Sequence, residues 1–400
     1  MTGRARDVAG VRDVTQAALV SARSVFGSES RLTGSSALRA RPGGSVVRLA
    51  LATAAGPVSV IAKQVSPRER AALEVLTEAG VGGVPRLLAV SDHPPLVLIA
   101  DAGEGPSVAD LLMGEDPDAA AQAVTRWAAA LARLQAGTLG LGGAFLARLA
   151  VQGADSTRPE PPDRFRHRFG LARAVSWKHA VTHPGSAKVI AETFTGLRDG
   201  LASLGVKAGP EVLAGLSAIA DRLAADPASQ SGPGALTPGD TCPDNEVDGP
   251  GGPVLLDFEG AQFRHVAWDA AYLSVPWPSC WCAWRLPAPA AAAALAQWRA
   301  VIDPRVSAEV SASLDAAVAD ATVAWALMTT AWFLDAAHAD TVLGPGGALR
   351  PGARELVQHR LRVAASAGQD SVLGEFSARA LAAVCAAWGD RPLPLAPAWR

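Results

Sequence analysis

Tyrosine occurs once in these 400 residues, methionine three times and cysteine four times. The cysteines are Cys242, Cys280, Cys282 and Cys385, and they show no framework spacing. That excludes a small disulfide-stapled secreted fold and makes a reducing cytoplasm the expected setting. Charge is sparse too: 18% of residues are charged, and the formal net charge is -2. The global footprint of a nucleic-acid binder is absent. No apolar run is long enough to span a bilayer, and the richest, Ala324 to Leu334, reads as a buried helix. The N-terminus has no apolar h-region and no small-residue cleavage site. Its arginines are mixed with Asp7 and Asp13, unlike a transit peptide. There is no internal repeat, no G-x-G-x-x-G, no Walker loop, no G-x-S-x-G elbow and no H-E-x-x-H.

What remains is an apolar, alanine-rich chain, long enough for two or three packed units. Val8, Val11, Val14, Ala18, Ala22 and Val25 recur at helical spacing, so residues 1–27 are expected to form an amphipathic helix stopped by Gly27. Val46 to Ala52 and Val58 to Gln64 read as strands. Ser66-Pro67-Arg68-Glu69 is a helix start, with Ser at the N-cap and Pro at the first turn. Arg86 to Val90 and Leu96 to Ala100 form a further strand pair. After Asp101 the glycines and Pro106 mark a connection between lobes. Helices dominate beyond it. Asp116-Pro117 opens one whose stripe is Val124, Trp127, Leu131 and Leu134, with Gly137 as its expected cap. The expected division is an N-terminal helix (1–27), a β-rich lobe (28–101) and a helical lobe (102–400).

The stretch "TPGDTCPDN", Thr237 to Asn245, places Asp240 and Asn245 five residues apart. Asp257 follows after a turn and a short apolar strand, so a hairpin would return it beside the loop. Phosphoryl transfer needs this chemistry: a base for the hydroxyl proton, and hard oxygen ligands for magnesium on the phosphates. Asp-x4-Asn followed by Asp-Phe matches the protein-kinase signature. The same residues are also ordinary turn formers, and a plain loop is the competing reading. Lys63 ends the strand "VSVIAK", where a lysine can meet nucleotide phosphates or blunt a sheet edge. Glu69 shares the stripe of Leu73 and Leu76 and is favoured over Glu74 as the partner of Lys63, although a glutamate there also suits a capping box.

Taken in order, these motifs resemble the aminoglycoside phosphotransferase and choline kinase family over most of residues 30 to 275. "PRLLAVSDHPPLVLIADAGEGPSVADLL", "AVTRWAAALARLQAG" and "GPVLLDFEGAQFRHVAWDAAYL" carry the resemblance beside the catalytic loop. It implies an α+β, protein-kinase-like fold in two lobes and an ATP- and magnesium-dependent phosphotransferase acting on a small-molecule hydroxyl. No nucleic-acid or membrane partner is implied. By the resemblance Asp240 is the catalytic base, Asn245 and Asp257 bind magnesium, and Lys63 contacts the phosphates with Glu69 orienting it. Backbone from Ala100 through Asp101 to Ala102 meets the adenine, and Asp269 braces the catalytic loop through its backbone. Ser35 and Ser36, with Gly34, are expected in a turn that cradles phosphates. The family usually carries His-Gly-Asp, where the histidine ring bonds backbone near the metal aspartate. This chain has Pro238-Gly239-Asp240, and Gln135 stands where the family often has a histidine. Proline stiffens the loop but makes no such bond. The alternative is a nucleotide-binding pseudokinase or regulatory protein without transfer activity.

Three further features bear on the acceptor. The stretch from Arg158 to Lys178 holds six cations against Glu160 and Asp163, which suits a neutral or anionic acceptor if it lines the pocket, or a solvated basic face. Asp315, Asp320, Asp335 and Asp340 could supply an acidic wall instead. Trp277, Trp281 and Trp284 are either core packing or an aromatic wall. A zinc site from Cys242, Cys280, Cys282 and His265 is conceivable, but Cys-x-Cys spacing is poor for one.

Overall fold

The structure, a computed structural model, describes residues 2–39, 45–152, 177–342 and 349–400. Strands β1 (Arg31–Arg39), β2 (Val46–Thr53), β3 (Gly56–Gln64), β4 (Leu87–Asp92) and β5 (Pro95–Ala100) form one antiparallel sheet in the order β1-β2-β3-β5-β4. Helix α1 (Thr2–Phe26) covers one face. Its Val14, Ala18 and Ala22 pack with Val47, Leu49, Val60, Ala62 and Leu98, while Val25 stays exposed. Side chains alternate along a strand, so Arg48, Ile61 and Lys63 point to the opposite face. Helix α2 (Pro67–Glu78) sits there, and Ser66 Oγ accepts the Glu69 N–H at 3.2 Å.

Helices follow: α3 (Val108–Leu112), α4 (Pro117–Thr138), α5 (Gly142–Val151), α6 (Trp177–Thr182), α7 (Ala187–Ala202) and α8 (Pro210–Arg222). Asp116 caps α4 as expected, and its whole predicted stripe is buried. Gly137 is not the cap: the helix continues to Thr138, and the left-handed turn comes at Gly140, φ +73°. Gly137 instead lets Val81 pack close, 3.3 Å from where a Cβ would lie.

Four short strands then shape the site. β6 (Gly234–Thr237) pairs with β9 (Gln262–His265), and β7 (Glu246–Gly249) forms a hairpin with β8 (Gly252–Leu255). The rest is α9 (Ala267–Ala270), α10 (Ala288–Ile302), α11 (Ala308–His338), α12 (Ala353–Ala367) and α13 (Val372–Trp388). By length and composition α11 could cross a membrane, unlike the shorter run expected from sequence, but 83% of its apolar window is buried inside the protein. It is the spine of the helical core, against α12 and α7. The architecture is α+β, a small antiparallel sheet followed by a large helical region.

Candidate active site

The β7–β8 hairpin explains how Asp257 returns to the catalytic loop. The Leu256 N–H bonds Asn245 O at 2.8 Å, and Asn245 N–H bonds Cys242 O at 2.9 Å. Asp257 follows in the left-handed region, φ 59° and ψ 70°, a conformation that costs energy in a non-glycine residue. Its carboxylate thereby meets the sheet: Lys63 Nζ lies 2.6 Å from Asp257 Oδ1 and 2.5 Å from Glu69 Oε1. The carboxylate of Glu69, 3% exposed, thus reaches the lysine as well as standing at N3. Burial alone would lower the Lys63 pKa, but Asp257 and Glu69 outweigh it, and the ammonium is held above its usual range. Burial pushes the Glu69 carboxyl up to about 7, against the pull of Lys63.

These groups line a cavity of about 460 Å³ between the sheet and the catalytic loop, within the usual range for small-molecule sites. Lys63, Glu69, Asp101, Ala102, Asn245 and Asp257 all face it. Asp101 is committed to the connection that follows it. It pairs with Arg48 Nε at 2.7 Å and accepts from Ser59 and from the Gly103 N–H. Arg48 also donates to Gly103 O at 2.9 Å and pairs with Glu104. It was not singled out in the sequence, where its signal is a lone charge inside the apolar run "VVRLALA". Ser35 and Ser36 are not in a turn, nor do they line the cavity. They lie exposed inside β1, paired with Leu49 and Arg48. Gly34 is accommodated at a register shift of the strand rather than at its end.

Magnesium takes hard oxygen ligands, and the residues present fit it. Asn245 Nδ2 donates to Asp240 O at 3.1 Å, which turns its amide and leaves Oδ1 as the atom that can take a cation. The Asp257 carboxylate faces the same cavity.

Asp240 is half-buried and lies beyond that cavity's lining. Its Oδ1 accepts from Ser279 Oγ at 2.8 Å. Burial pushes its carboxyl up to about 7; Ser279 opposes the rise, and Asp244 and Asp257 add to it. Gly239 before it has φ +90°, and a Cβ there would lie 2.0 Å from Gly260 O. Only glycine allows the loop and the Asp257 turn to press together. Pro238 is buried and has no ring donor.

The polar fastening on this side comes from Arg264, which the sequence reading missed. Its guanidinium donates to Gly239 O at 3.0 Å and to Val181 O at 2.7 Å, and pairs with Asp269. Asp269 was expected to brace the loop directly; it does so by way of Arg264. Its other oxygen accepts from Gln135 Nε2 at 3.2 Å, and Gln135 Oε1 accepts from Trp298 at 2.7 Å. The available signal was an arginine between Phe263 and His265, five residues before Asp269.

Cys242 and Cys280 form a disulfide, closing a loop across 38 residues of sequence. Spacing could not predict it, because the pairing depends on the fold. The Sγ of Cys282 lies 3.2 Å from that of Cys280, and His265 stands apart, its Nδ1 accepting the Ala267 N–H. The suggested zinc set is therefore not assembled. Trp277 and Trp284 are core, Trp277 edge-on to Trp127 at 5.0 Å. Trp281 is partly exposed and donates to Asp244 at 2.9 Å. Of the four aspartates suggested for an acidic wall, Asp315, Asp320 and Asp340 each pair with arginine, and none of the four lines the Lys63 cavity. Of the basic stretch from 158 to 178, positions up to 176 lie outside the described residues.

The family model described as "Phosphotransferase enzyme family" matches residues 57–310. Among solved structures, the chain is similar to an ethanolamine kinase from Plasmodium vivax, with 11% identity over 90% of this chain and 83% of that one, TM-score 0.41. A choline kinase from Streptococcus pneumoniae shares 12% identity over 90% and 97%, TM-score 0.37. A choline/ethanolamine kinase family protein from Mesorhizobium loti shares 15% over 93% and 99%, TM-score 0.40. No curated protein sequence matches the chain significantly.

Proposed function

This chain belongs to the phosphotransferase enzyme family, and from that premise we propose that it moves the γ-phosphoryl group of ATP to a hydroxyl of a small molecule, with magnesium. The observation that carries the reading is the convergence of Lys63, Glu69, Asn245 and Asp257 on one cavity, with Asn245 bonded to the Asp240 backbone. Residues 28–101 form the nucleotide lobe of this reading, and 102–400 the lobe that presents the acceptor. Lys63 holds the phosphates, and Glu69 keeps it extended toward them. Backbone around Asp101 and Ala102 takes the adenine. Asn245 and Asp257 would hold magnesium, which supplies neutralisation of charge on the phosphates. Asp240 accepts the hydroxyl proton at Oδ2, since Oδ1 is engaged by Ser279. A carboxyl raised to about 7 suits a base at neutral pH. The expected cytoplasmic location belongs to the same proposal. There Cys242–Cys280 should be reduced, and thiol counting on freshly lysed cells checks it.

The test is a magnesium–ATP screen against cationic, neutral and anionic alcohols, read by mass shift. Wild type should phosphorylate at least one. Asp240→Asn should lower that rate about 10²–10⁴-fold while still binding nucleotide in calorimetry. Nucleotide binding without transfer to any alcohol would replace this reading with that of a pseudokinase.

A further inference from the structure

The chain's single tyrosine, Tyr272, sits three residues after Asp269 in the sequence. In the structure it is fully buried, and its hydroxyl lies 2.9 Å from Ser279 Oγ. Ser279, 5% exposed, lies 2.8 Å from Asp240 Oδ1. The direction of these bonds follows from chemistry. An ionised carboxylate only accepts, so the Ser279 hydroxyl hydrogen is committed to Asp240. Ser279 can then only accept from Tyr272, which must donate. Burial keeps the phenol protonated by pushing it well above its ordinary value.

Ser279 is itself fixed on both sides. Cys280, the next residue, packs beside Cys242 of the catalytic loop, Cα to Cα 5.6 Å. Pro278 O accepts from buried Arg360 at 3.2 Å, and Trp277 is locked in the core. A carboxylate otherwise turns freely about its last torsion. Holding Oδ1 sets its plane and leaves Oδ2 for the acceptor.

We propose that Ser279, held by Tyr272, is the positioning residue for the Asp240 carboxylate during phosphoryl transfer. This rests on the phosphotransferase reading with Asp240 as base. Misplacing a reacting group by about 1 Å can cost roughly 10²-fold in rate, which sets the scale of the effect.

The experiment compares Ser279→Ala, Tyr272→Phe, their double variant and Asp240→Asn. Each is assayed for magnesium–ATP hydrolysis with water as acceptor and for transfer to the best alcohol of the screen. Ser279→Ala should lower kcat about 10–100-fold, with the KM for ATP and the melting temperature near wild type. Tyr272→Phe should lower kcat about 3–10-fold, and the double variant should be no slower than Ser279→Ala, because Tyr272 acts only through Ser279. Effects that multiply in the double variant overturn the relay. A Ser279→Ala rate within about twofold of wild type, beside an inactive Asp240→Asn, overturns the positioning role and leaves the base reading standing. If Asp240→Asn retains wild-type rates, the base reading itself fails. Should Ser279→Ala not fold, Tyr272→Phe removes a single oxygen and decides alone: an unchanged kcat overturns the proposal.

Discussion

Two cation–carboxylate clusters flank the same catalytic loop, and they are built for opposite ends. Lys63, Glu69 and Asp257 meet on the wall of an open cavity. Arg264, Asp269 and Gln135 are sealed: Asp269 is 1% exposed and Gln135 0%. In the sealed cluster the guanidinium grips two backbone carbonyls as well as the carboxylate, so it spans Val181, the catalytic loop and α9. In the open cluster one ammonium is shared by two carboxylates, one of them on a strained left-handed residue. The open cluster trades charge only between side chains, whereas the sealed one is also tied to fixed backbone oxygens.

The comparison predicts different costs. Arg264→Met should be the most damaging change. It leaves Asp269 buried without its cation and Gly239 O without its donor, which should destabilise the fold by about 3–5 kcal/mol. Urea unfolding monitored by tryptophan fluorescence reads this directly. Lys63→Met should behave in the opposite way. Transfer should fall about 10²–10³-fold, the scale for losing one electrostatic contact to the reacting charge. Stability should change by no more than about 1 kcal/mol, because Glu69, already near 7, can take up a proton. Equal destabilisation by the two substitutions would erase the distinction between the clusters.

The smallest effect concerns a buried carboxylate that takes a backbone N–H in place of a cation. Glu246 is 4% exposed and accepts from Val108 N–H at 3.0 Å. Burial raises its carboxyl from 4.5 to about 7. The folded protein therefore binds this proton more tightly than the unfolded chain. Stability from Glu246 should be greatest below about pH 4.5 and decline as pH rises to about 7. Glu246→Gln keeps the acceptor and removes the charge, so it should gain on the order of 1–2 kcal/mol at pH 8. Melting temperatures of both proteins across pH 5 to 8 would show the curves converging toward the acidic end.

The open cluster was legible in the sequence because each member sits where a local pattern leaves a mark. Lys63 ends an alternating strand, Glu69 follows an N-cap Ser-Pro, and Asp257 follows a hairpin turn. The sealed cluster was half legible. Asp269 and Gln135 came from the resemblance, whereas Arg264 lies on a short strand whose partner, β6, is distant in the chain. Ser35 and Ser36 were misplaced because Gly-Ser-Ser has turn composition, yet pairing with β2 overrode it. The Ser279–Asp240 bond and the Cys242–Cys280 pairing left no usable local signal, since the partners lie 39 and 38 residues apart.

The sequence by itself determined the order of the elements, the α+β class and the identities of the groups suited to phosphoryl chemistry. Periodicity, caps and turns act within a few residues, and those are written in order along the chain. Only the tertiary structure decided which of these groups meet. Lys63 reaches Asp257 across 194 residues of sequence, because a sheet face and a hairpin happen to converge there. The same holds for the catalytic loop. Pro238 offers no ring donor, and Gly239 O is held by Arg264, from a strand paired only in the folded protein.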